Sequence, residues 1–145
     1  LESCPGILDR MDRYDADQDG FVSATEITDR IERWQELGVA LMSVGVKVTL
    51  DGKPLAGATV RLIPERFMGD SIHPASGTSD VSGVTTPSIA ADKLPQDLAE
   101  YRGVNMGVYE VEVSHPEREL GDQRIGTEID HTDQWNGIQL DLKTK

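Results

Sequence analysis

Cysteine, basic residues and long apolar runs are all scarce in this chain of 145 residues. Cys4 is the only cysteine, so no disulfide can form within the chain. No stretch approaches the roughly 20 apolar residues that a membrane-spanning helix needs. Lys and Arg number 14 against 26 Asp and Glu, which gives a formal charge of −12. Because nucleic acids and anionic membranes are bound by cationic surfaces, this balance argues against both as partners and favours a protein that collects cations.

Apolar residues are spaced differently in two parts of the chain. Up to Gly38 they recur every three or four positions, which is typical of amphipathic helices. This spacing predicts one helix that begins near Pro5 and a second over about residues 24–36, with Gly38 as its stop. Beyond Gly38 the period changes to two, as in half-buried strands. We therefore expect a helical unit over residues 1–38 and a β domain over residues 39–145.

The second predicted helix has one apolar face and one charged face. Its charged residues, Arg30 among them, are expected mostly on the side that faces solvent. The apolar face that should pack inward consists of Ile27, Ile31, Trp34 and Leu37.

The segment between the two predicted helices has the residues of a calcium-binding loop. Ca²⁺ takes roughly six to eight oxygen ligands in a flexible shell, and alternate loop residues can turn their oxygens toward one centre. Gly20 permits the sharp bend that such a loop needs. The predicted ligands are Asp15, Asp17, Asp19, the backbone carbonyl of Phe21, Ser23 either directly or through a water, and Glu26 with both carboxylate oxygens.

An acidic surface turn between two helices is the simpler interpretation of the same residues. Three aspartates at alternate positions would repel one another strongly without a cation, because like charges at short range disfavour ionisation. The complete ligand pattern over residues 15–26 therefore favours a metal site over an ordinary turn.

Residues 5–37 resemble a bacterial EF-hand, and the resemblance implies that the positions just named bind Ca²⁺. EF-hands normally occur in pairs, in which loop position 8, here Val22, forms a short β-bridge to the second hand. No second loop is found, since residues 130–141 begin and end with Asp but lack ligands at the required places. Three arrangements stay open: a partner hand upstream, pairing with another molecule, or packing of Val22 on the β domain.

The remainder of the chain contains short alternating segments separated by turn residues. Asp51-Gly52 follows the first of them and is a strong signal for a tight turn. Such a succession predicts an antiparallel sandwich, interrupted at residues 91–101 by an insertion with weak helical spacing. The predicted strands cover about residues 44–50, 58–63, 75–78, 84–89, 108–113, 124–129 and 138–142.

Three stretches of the β part carry a second resemblance. Residues 46–60 place Asp-Gly-Lys-Pro-Leu-Ala-Gly-Ala between two strands, as in an opening hairpin, and residues 77–83 end in Ser-Asp-Val-Ser-Gly. Residues 103–113 contain Gly-Val-Tyr-Glu-Val-Glu-Val, preceded by Met106 where proline is usual. Together they make residues 44–143 similar to a carboxypeptidase-regulatory-like domain. This resemblance implies an all-β antiparallel Greek-key sandwich of the transthyretin-like type, a rigid spacer, adhesion or assembly module without catalytic residues.

Groupings typical of enzyme active sites are missing from the sequence. Some transthyretin-like proteins are hydroxyisourate hydrolases with a C-terminal Tyr-Arg-Gly-Ser motif, but residues 101–104 read Tyr-Arg-Gly-Val far from the chain end. The histidines have no metal-ligand spacing, and Cys4 has no neighbouring base to activate it. We therefore predict that the chain is not an enzyme. The three histidines fall in predicted loops at His73, His115 and His131.

These features predict a non-enzymatic calcium-binding structural or adhesion module of a secreted or surface bacterial protein. The chain starts at Leu1 without Met, and we interpret it as a fragment of a longer precursor with an extracytoplasmic location, periplasmic, cell-surface or secreted. A single site in such a place suits weak Ca²⁺ binding, with Kd about 10⁻⁴ to 10⁻³ M. One alternative is an accessory domain that binds a glycan or protein partner, for which Trp135 is the candidate exposed aromatic. Another is a calcium sensor, although its helices would be poor in the Met and Phe that line sensor grooves.

Overall fold

The computed structural model of the protein describes residues 4–36, 41–93, 103–120, 125–130, 133 and 137–144. Its helices are α1 (Pro5–Asp9), α2 (Met11–Tyr14) and α3 (Ala24–Glu36). The prediction of a helix over residues 24–36 is confirmed, whereas the first predicted helix is divided in two. The division falls at Arg10, whose backbone angles (φ −123°, ψ 30°) leave the helical region. We call residues 5–36 the helical segment.

Strands make up most of the remaining regular structure. Two 3₁₀ turns, Arg66–Ser71 and Ala91–Lys93, interrupt them, and the rest of the predicted insertion lies outside the described residues. The strands are β1 (Val46–Leu50), β2 (Lys53–Pro54), β3 (Thr59–Pro64), β4 (Ala75–Thr78), β5 (Val84–Thr85), β6 (Ser88–Ile89), β7 (Gly107–Ser114), β8 (Ile125–Ile129) and β9 (Ile138–Leu142).

The strands form two sheets. In the first, β1 pairs antiparallel with β2 at one end and with β5 at the other, and it pairs in parallel with β9. The second sheet has the order β6-β4-β3-β7-β8 and is antiparallel throughout. The coarse prediction, a mostly antiparallel β protein with few short helices, is therefore confirmed.

The opening β segments do not form the single hairpin that the sequence suggested. Asp51 and Gly52 adopt positive φ angles of 51° and 83° and make the expected tight turn, but this turn joins β1 only to the very short β2. Pro54 ends β2 because proline has no amide hydrogen to continue a ladder. The next strand, β3, then belongs to the second sheet, so the two predicted strands lie in different layers.

The last two strands are also placed in different sheets. β8 is the edge partner of β7, and β9 lies beside β1 in the same direction, with Val46 opposite Ile138 and Leu50 opposite Leu142. The prediction of strands at about residues 124–129 and 138–142 is confirmed in position, with residue 124 itself outside the described residues. Exclusively antiparallel pairing was wrong, because the pairing of β1 with β9 is parallel.

The core is filled from both sheets, and the helical segment covers part of the outer surface. Val60 and Leu62 of β3 face inward, and Val111 opposite Leu62 shares that face. Val108 and Glu128 are paired across β7 and β8 on the opposite, outer face, yet both are 0% exposed. Because strand residues alternate between faces, burial on this outer face requires a cover, and α1 packs there against β7 and β8.

Candidate metal centre

The aspartates at alternate positions of the predicted loop come together in space. One carboxylate oxygen from each of Asp15, Asp17 and Asp19 lies within 4.8 Å of the others. Oxygens bound to one Ca²⁺ ion at about 2.3–2.6 Å can be separated by at most about 4.6–5.2 Å, when they lie on opposite sides of the ion. The three oxygens are therefore spaced so that a single ion of this size could contact all of them.

Backbone amides of the same loop point at these carboxylates. The amides of Asp19 and Gly20 donate to the two oxygens of Asp15, over 3.1 and 2.9 Å. The Phe21 amide donates to Asp19 over 2.8 Å. This wrapping depends on positive φ angles at Gln18 (59°) and Gly20 (85°), and only the glycine was expected from the sequence. The aspartates thus organise the turn that brings them together.

Glu26 connects the two ends of the loop. Its Oε2 accepts a hydrogen bond from the Ser23 amide over 2.8 Å, while the Ser23 hydroxyl accepts one from the Glu26 amide over 3.2 Å. This reciprocal pair is a capping box, which satisfies amides at the start of α3. The other oxygen, Oε1, accepts from the Ala16 amide over 3.0 Å. Glu26 therefore faces the loop interior, although its oxygens are not part of the three-aspartate group.

The pKa values of Glu26 and Asp17 are shifted in opposite directions. The hydrogen bond from the Ser23 amide, followed by those from other loop amides, lowers the pKa of Glu26 and keeps it charged. For Asp17, the hydrogen bond from the Asp19 amide acts to lower the pKa. Partial desolvation and the nearby carboxylates of Asp19, Asp15 and Glu26 outweigh it, so the pKa is raised. A cation among these groups would relieve that repulsion.

The remaining predicted ligands, Phe21 and Ser23, lie in the same loop but are not part of the three-aspartate group. Ser23 caps the start of α3. Phe21 is 74% exposed, and its contact with the loop is made by its backbone amide. Val22 is partly buried and packs against the hydrophobic core. That core contains residues of both the helical segment and the sheets, so the contact is compatible with the third arrangement that the sequence left open.

A cluster of arginines and carboxylates on the outer face of β8 was not foreseen from the sequence. We call it the arginine–carboxylate cluster; its members are Arg10, Arg13, Arg30, Glu128, Asp130 and Asp133. The three formal positive charges balance the three negative ones.

Glu128 is the centre of this cluster and is completely buried. Arg30 donates two hydrogen bonds to it, from Nε to Oε2 over 3.0 Å and from Nη2 to Oε1. Arg13 donates to the same Oε1 over 3.2 Å. Since a buried carboxylate is stabilised only when it is fully paired, these contacts make its burial sustainable.

Asp130 and Asp133 extend the cluster beyond the end of β8. Arg30 contacts Asp130 over 2.5 Å, and Asp133 lies 3.5 Å from Arg13 and 3.8 Å from Arg10. Asp133 also accepts a hydrogen bond from the Asp130 amide over 2.8 Å, which links these two residues directly.

Arg30 was expected mostly on the solvent face of α3, and this prediction was wrong. Its residue is 9% exposed, its guanidinium lies 5.1 Å from the Tyr14 ring centre, and its Nη1 donates to the Arg13 carbonyl over 3.4 Å. A signal was present in the spacing, because Arg30 lies three residues after Ile27 and next to Ile31. Those positions share one side of a helix.

Other sequence candidates do not converge on a site. His115 is engaged with the Ala56 carbonyl and the Glu117 amide, and it borders a cleft of about 390 Å³ lined in part by Lys53 and Arg118. No Phe, Tyr or Trp lines the described part of this cleft. His73 contributes its backbone amide to a bond with Asn105. His131, Trp135 and residues 101–102 lie outside the described residues.

Comparison with protein-family models, curated proteins and solved structures gives no match for this chain. Among the described residues, no helix has both the length and the apolar character needed to cross a membrane.

Proposed function

We propose that residues 15–26 are a Ca²⁺ site of the EF-hand type and that the chain is a non-enzymatic structural or adhesion module. The observation that carries the proposal is the approach of the Asp15, Asp17 and Asp19 oxygens to within 4.8 Å of one another. The backbone turn at Gly20 and the closure of the loop by Glu26 support it.

The donor set favours calcium over other common ions. The ligands are Asp15, Asp17, Asp19, the Phe21 carbonyl, Ser23 and Glu26, all of which offer oxygen. Zinc and copper sites usually include nitrogen or sulfur, and this loop holds no His or Cys. Mg²⁺ demands a tighter octahedral shell and keeps several waters, which fits a ligand-rich flexible loop less well.

The role of the ion is to hold the helical segment on the sandwich, for which we propose the transthyretin-like Greek-key topology. The loop joins α2 to α3, and both helices carry arginines that reach β8. An ion that binds only the folded loop stabilises the folded chain by mass action. A single hand with Kd about 10⁻⁴ to 10⁻³ M would be filled where calcium is abundant, which suits an extracytoplasmic bacterial protein.

Isothermal titration and thermal unfolding of the whole chain test this proposal. We expect Ca²⁺ to bind with one site per chain, to raise Tm, and to lose its effect with chelator. Asp17→Asn should weaken binding about tenfold or more, because it removes one of only a few charged ligands. Asp29→Asn, on the exposed part of α3, is the matched control and should bind as the unaltered chain does. Absence of both heat and a Tm shift at millimolar Ca²⁺ would refute the site.

A calcium sensor is a weaker candidate than a structural site. Sensor hands open to expose an apolar groove. Here Ile7 is 1% exposed, and Ile27 and Ile31 pack against the core. These apolar side chains are therefore already packed and do not line an open groove. An increase in binding of a hydrophobic dye on addition of Ca²⁺ would favour the sensor instead.

A further inference from the structure

We infer that Glu128, a residue of the sandwich, is a positioning residue that sets the calcium affinity of the loop through Arg13 and Arg30. This inference rests on the proposed calcium site and deepens it, because it assigns the control of that site to a carboxylate about a hundred residues away in sequence.

Arg13 and Arg30 lie on opposite sides of the loop in the sequence. Arg13 lies two residues before Asp15, the first predicted ligand, and Arg30 lies four residues after Glu26, the last one. Four residues are about one turn of α3, so Glu26 and Arg30 are carried by the same short length of helix. Whatever holds the two arginines therefore holds both ends of the loop.

One carboxylate, that of Glu128, binds both arginines. Oε1 of Glu128 accepts from Arg13 on the entering side and from Arg30 on the exiting side. The Arg30 Nη1 bond to the Arg13 carbonyl joins the two sides directly, and Tyr14, 1% exposed, fills the space beside the guanidinium. The ends of α2 and α3 are thus held together by this direct bond and by Glu128, which belongs to neither helix.

Holding the ends of the loop in place affects the free energy of ion binding. A flexible loop loses conformational freedom when an ion gathers its oxygens, and a loop whose ends are already held loses less. Glu128 therefore raises the calcium affinity, because it restricts the conformations of the loop before the ion binds. By the reciprocity of linked equilibria, bound calcium must tighten the attachment of the helical segment to β8 by the same factor.

Paired substitutions test the assignment. Arg30→Gln and Glu128→Gln should each raise the Kd for Ca²⁺ about fivefold or more, the lower end of common coupling factors. Arg33→Gln on the exposed side of α3 and Glu112→Gln of the exposed Arg61–Glu112 pair are the matched controls. Both should keep the Kd within about twofold of the unaltered chain, because surface pairs contribute little. A purely structural role for Glu128 predicts lower stability with unchanged Kd and an unchanged Tm increase from calcium.

Hydrogen exchange of the unaltered chain covers the case in which these variants fail to fold. Ca²⁺ should slow amide exchange in β8 about fivefold relative to β4, which lies in the same sheet but away from the helical segment. Equal slowing in β4 and β8 would overturn the inference, as would folded variants with an unchanged or lower Kd. If the unaltered chain binds no Ca²⁺ at all, the proposed site itself fails. Normal binding without coupling removes only the role of Glu128.

Discussion

Gly126 of β8 lies against the backbone of Gly6 in α1 with no space for a side chain between them. A Cβ atom on Gly126 would lie 2.2 Å from the Gly6 nitrogen and 2.7 Å from the Pro5 carbonyl carbon. A Cβ atom on Gly6 would lie 2.8 Å from Val108 Cγ1. Helix and strand therefore meet main chain to main chain, which is what allows the following helices to reach Glu128.

The first prediction concerns this crossing. Gly126→Ala should lower the free energy of unfolding by about 1 to 3 kcal/mol, because the methyl group can be accommodated only if α1 moves off the strand. Gly45→Ala is the control, since a Cβ there has open space around it and the glycine has no positive φ. Urea denaturation measures both. Equal stability of the two variants would show that α1 does not rest on β8.

The second prediction compares a buried ion pair with an exposed one. Glu128→Gln should cost about 3 to 5 kcal/mol of stability, because it removes the buried charge that pairs with both Arg13 and Arg30 and leaves only Asp130 and Asp133 to balance them. Glu112→Gln, which removes the exposed partner of Arg61, should cost about 0 to 1 kcal/mol. Chemical denaturation in the presence of chelator separates this effect from metal binding. A similar small cost for both would mean that solvent reaches the cluster.

The third prediction concerns Asp141 in β9, which accepts a hydrogen bond from the Thr49 hydroxyl of β1 over 2.6 Å. This bond, followed by one from Gln139, lowers the pKa of Asp141. A lowered pKa in the folded state means that Asp141 contributes stability above the unfolded-state pKa, and this contribution is lost as pH falls through the folded-state value. Thr49→Val should raise the pKa of Asp141 and shift that loss to higher pH.

Titration by NMR measures this change, and Asp80 provides an internal reference. Its pKa is lowered first by the Val84 amide and then by Ser82, within its own turn. The pKa of Asp80 should therefore stay constant in the Thr49→Val chain. An unchanged pKa of Asp141 in the Thr49→Val chain would show that the hydrogen bond between Thr49 and Asp141 does not form in solution.

The fourth prediction concerns the thiol of Cys4, which is buried at the start of α1. Burial, ahead of smaller contributions from its surroundings, raises the pKa of this thiol. Because the thiolate is the reactive form, the folded chain should react with a thiol reagent at neutral pH about a hundredfold more slowly than the chain in denaturant. Ca²⁺ should slow the reaction further if it stabilises the helical segment. Rapid labelling of the folded chain would contradict the burial of Cys4.

Much of the local structure could be predicted because short-range rules decide it. The start of α3 follows from Ser23 and Glu26, which cap the helix by mutual hydrogen bonds. β4 and β9 begin and end where the alternating pattern predicts. The approach of the three aspartates follows from their spacing around a glycine turn, although the positive φ of Gln18 had no clear signal.

The arrangement of strands and the buried charges depended on distant partners and could not be read locally. β2 ends at Pro54, and β3 belongs to the other sheet. The strong turn signal at Asp51-Gly52 predicted a hairpin of two longer strands instead. Glu128 lies between Thr127 and Ile129 in β8, a sequence position typical of an ordinary solvent-facing residue. Its burial becomes intelligible only once the helical segment is seen to cover that face, with Arg30 directed inward.

The separation of Glu128 from its arginines has a consequence for the synthesis of the chain. The proposed ion-binding loop leaves the ribosome while its anchor is still untranslated, since Arg30 precedes Glu128 by 98 residues and Arg13 precedes it by 115. Contacts so far apart close late, after the entropy of the intervening chain has been lost. During translation the arginines of the helices therefore stay exposed to solvent. Tight binding of the ion should begin only after Glu128 has been translated and has paired with them.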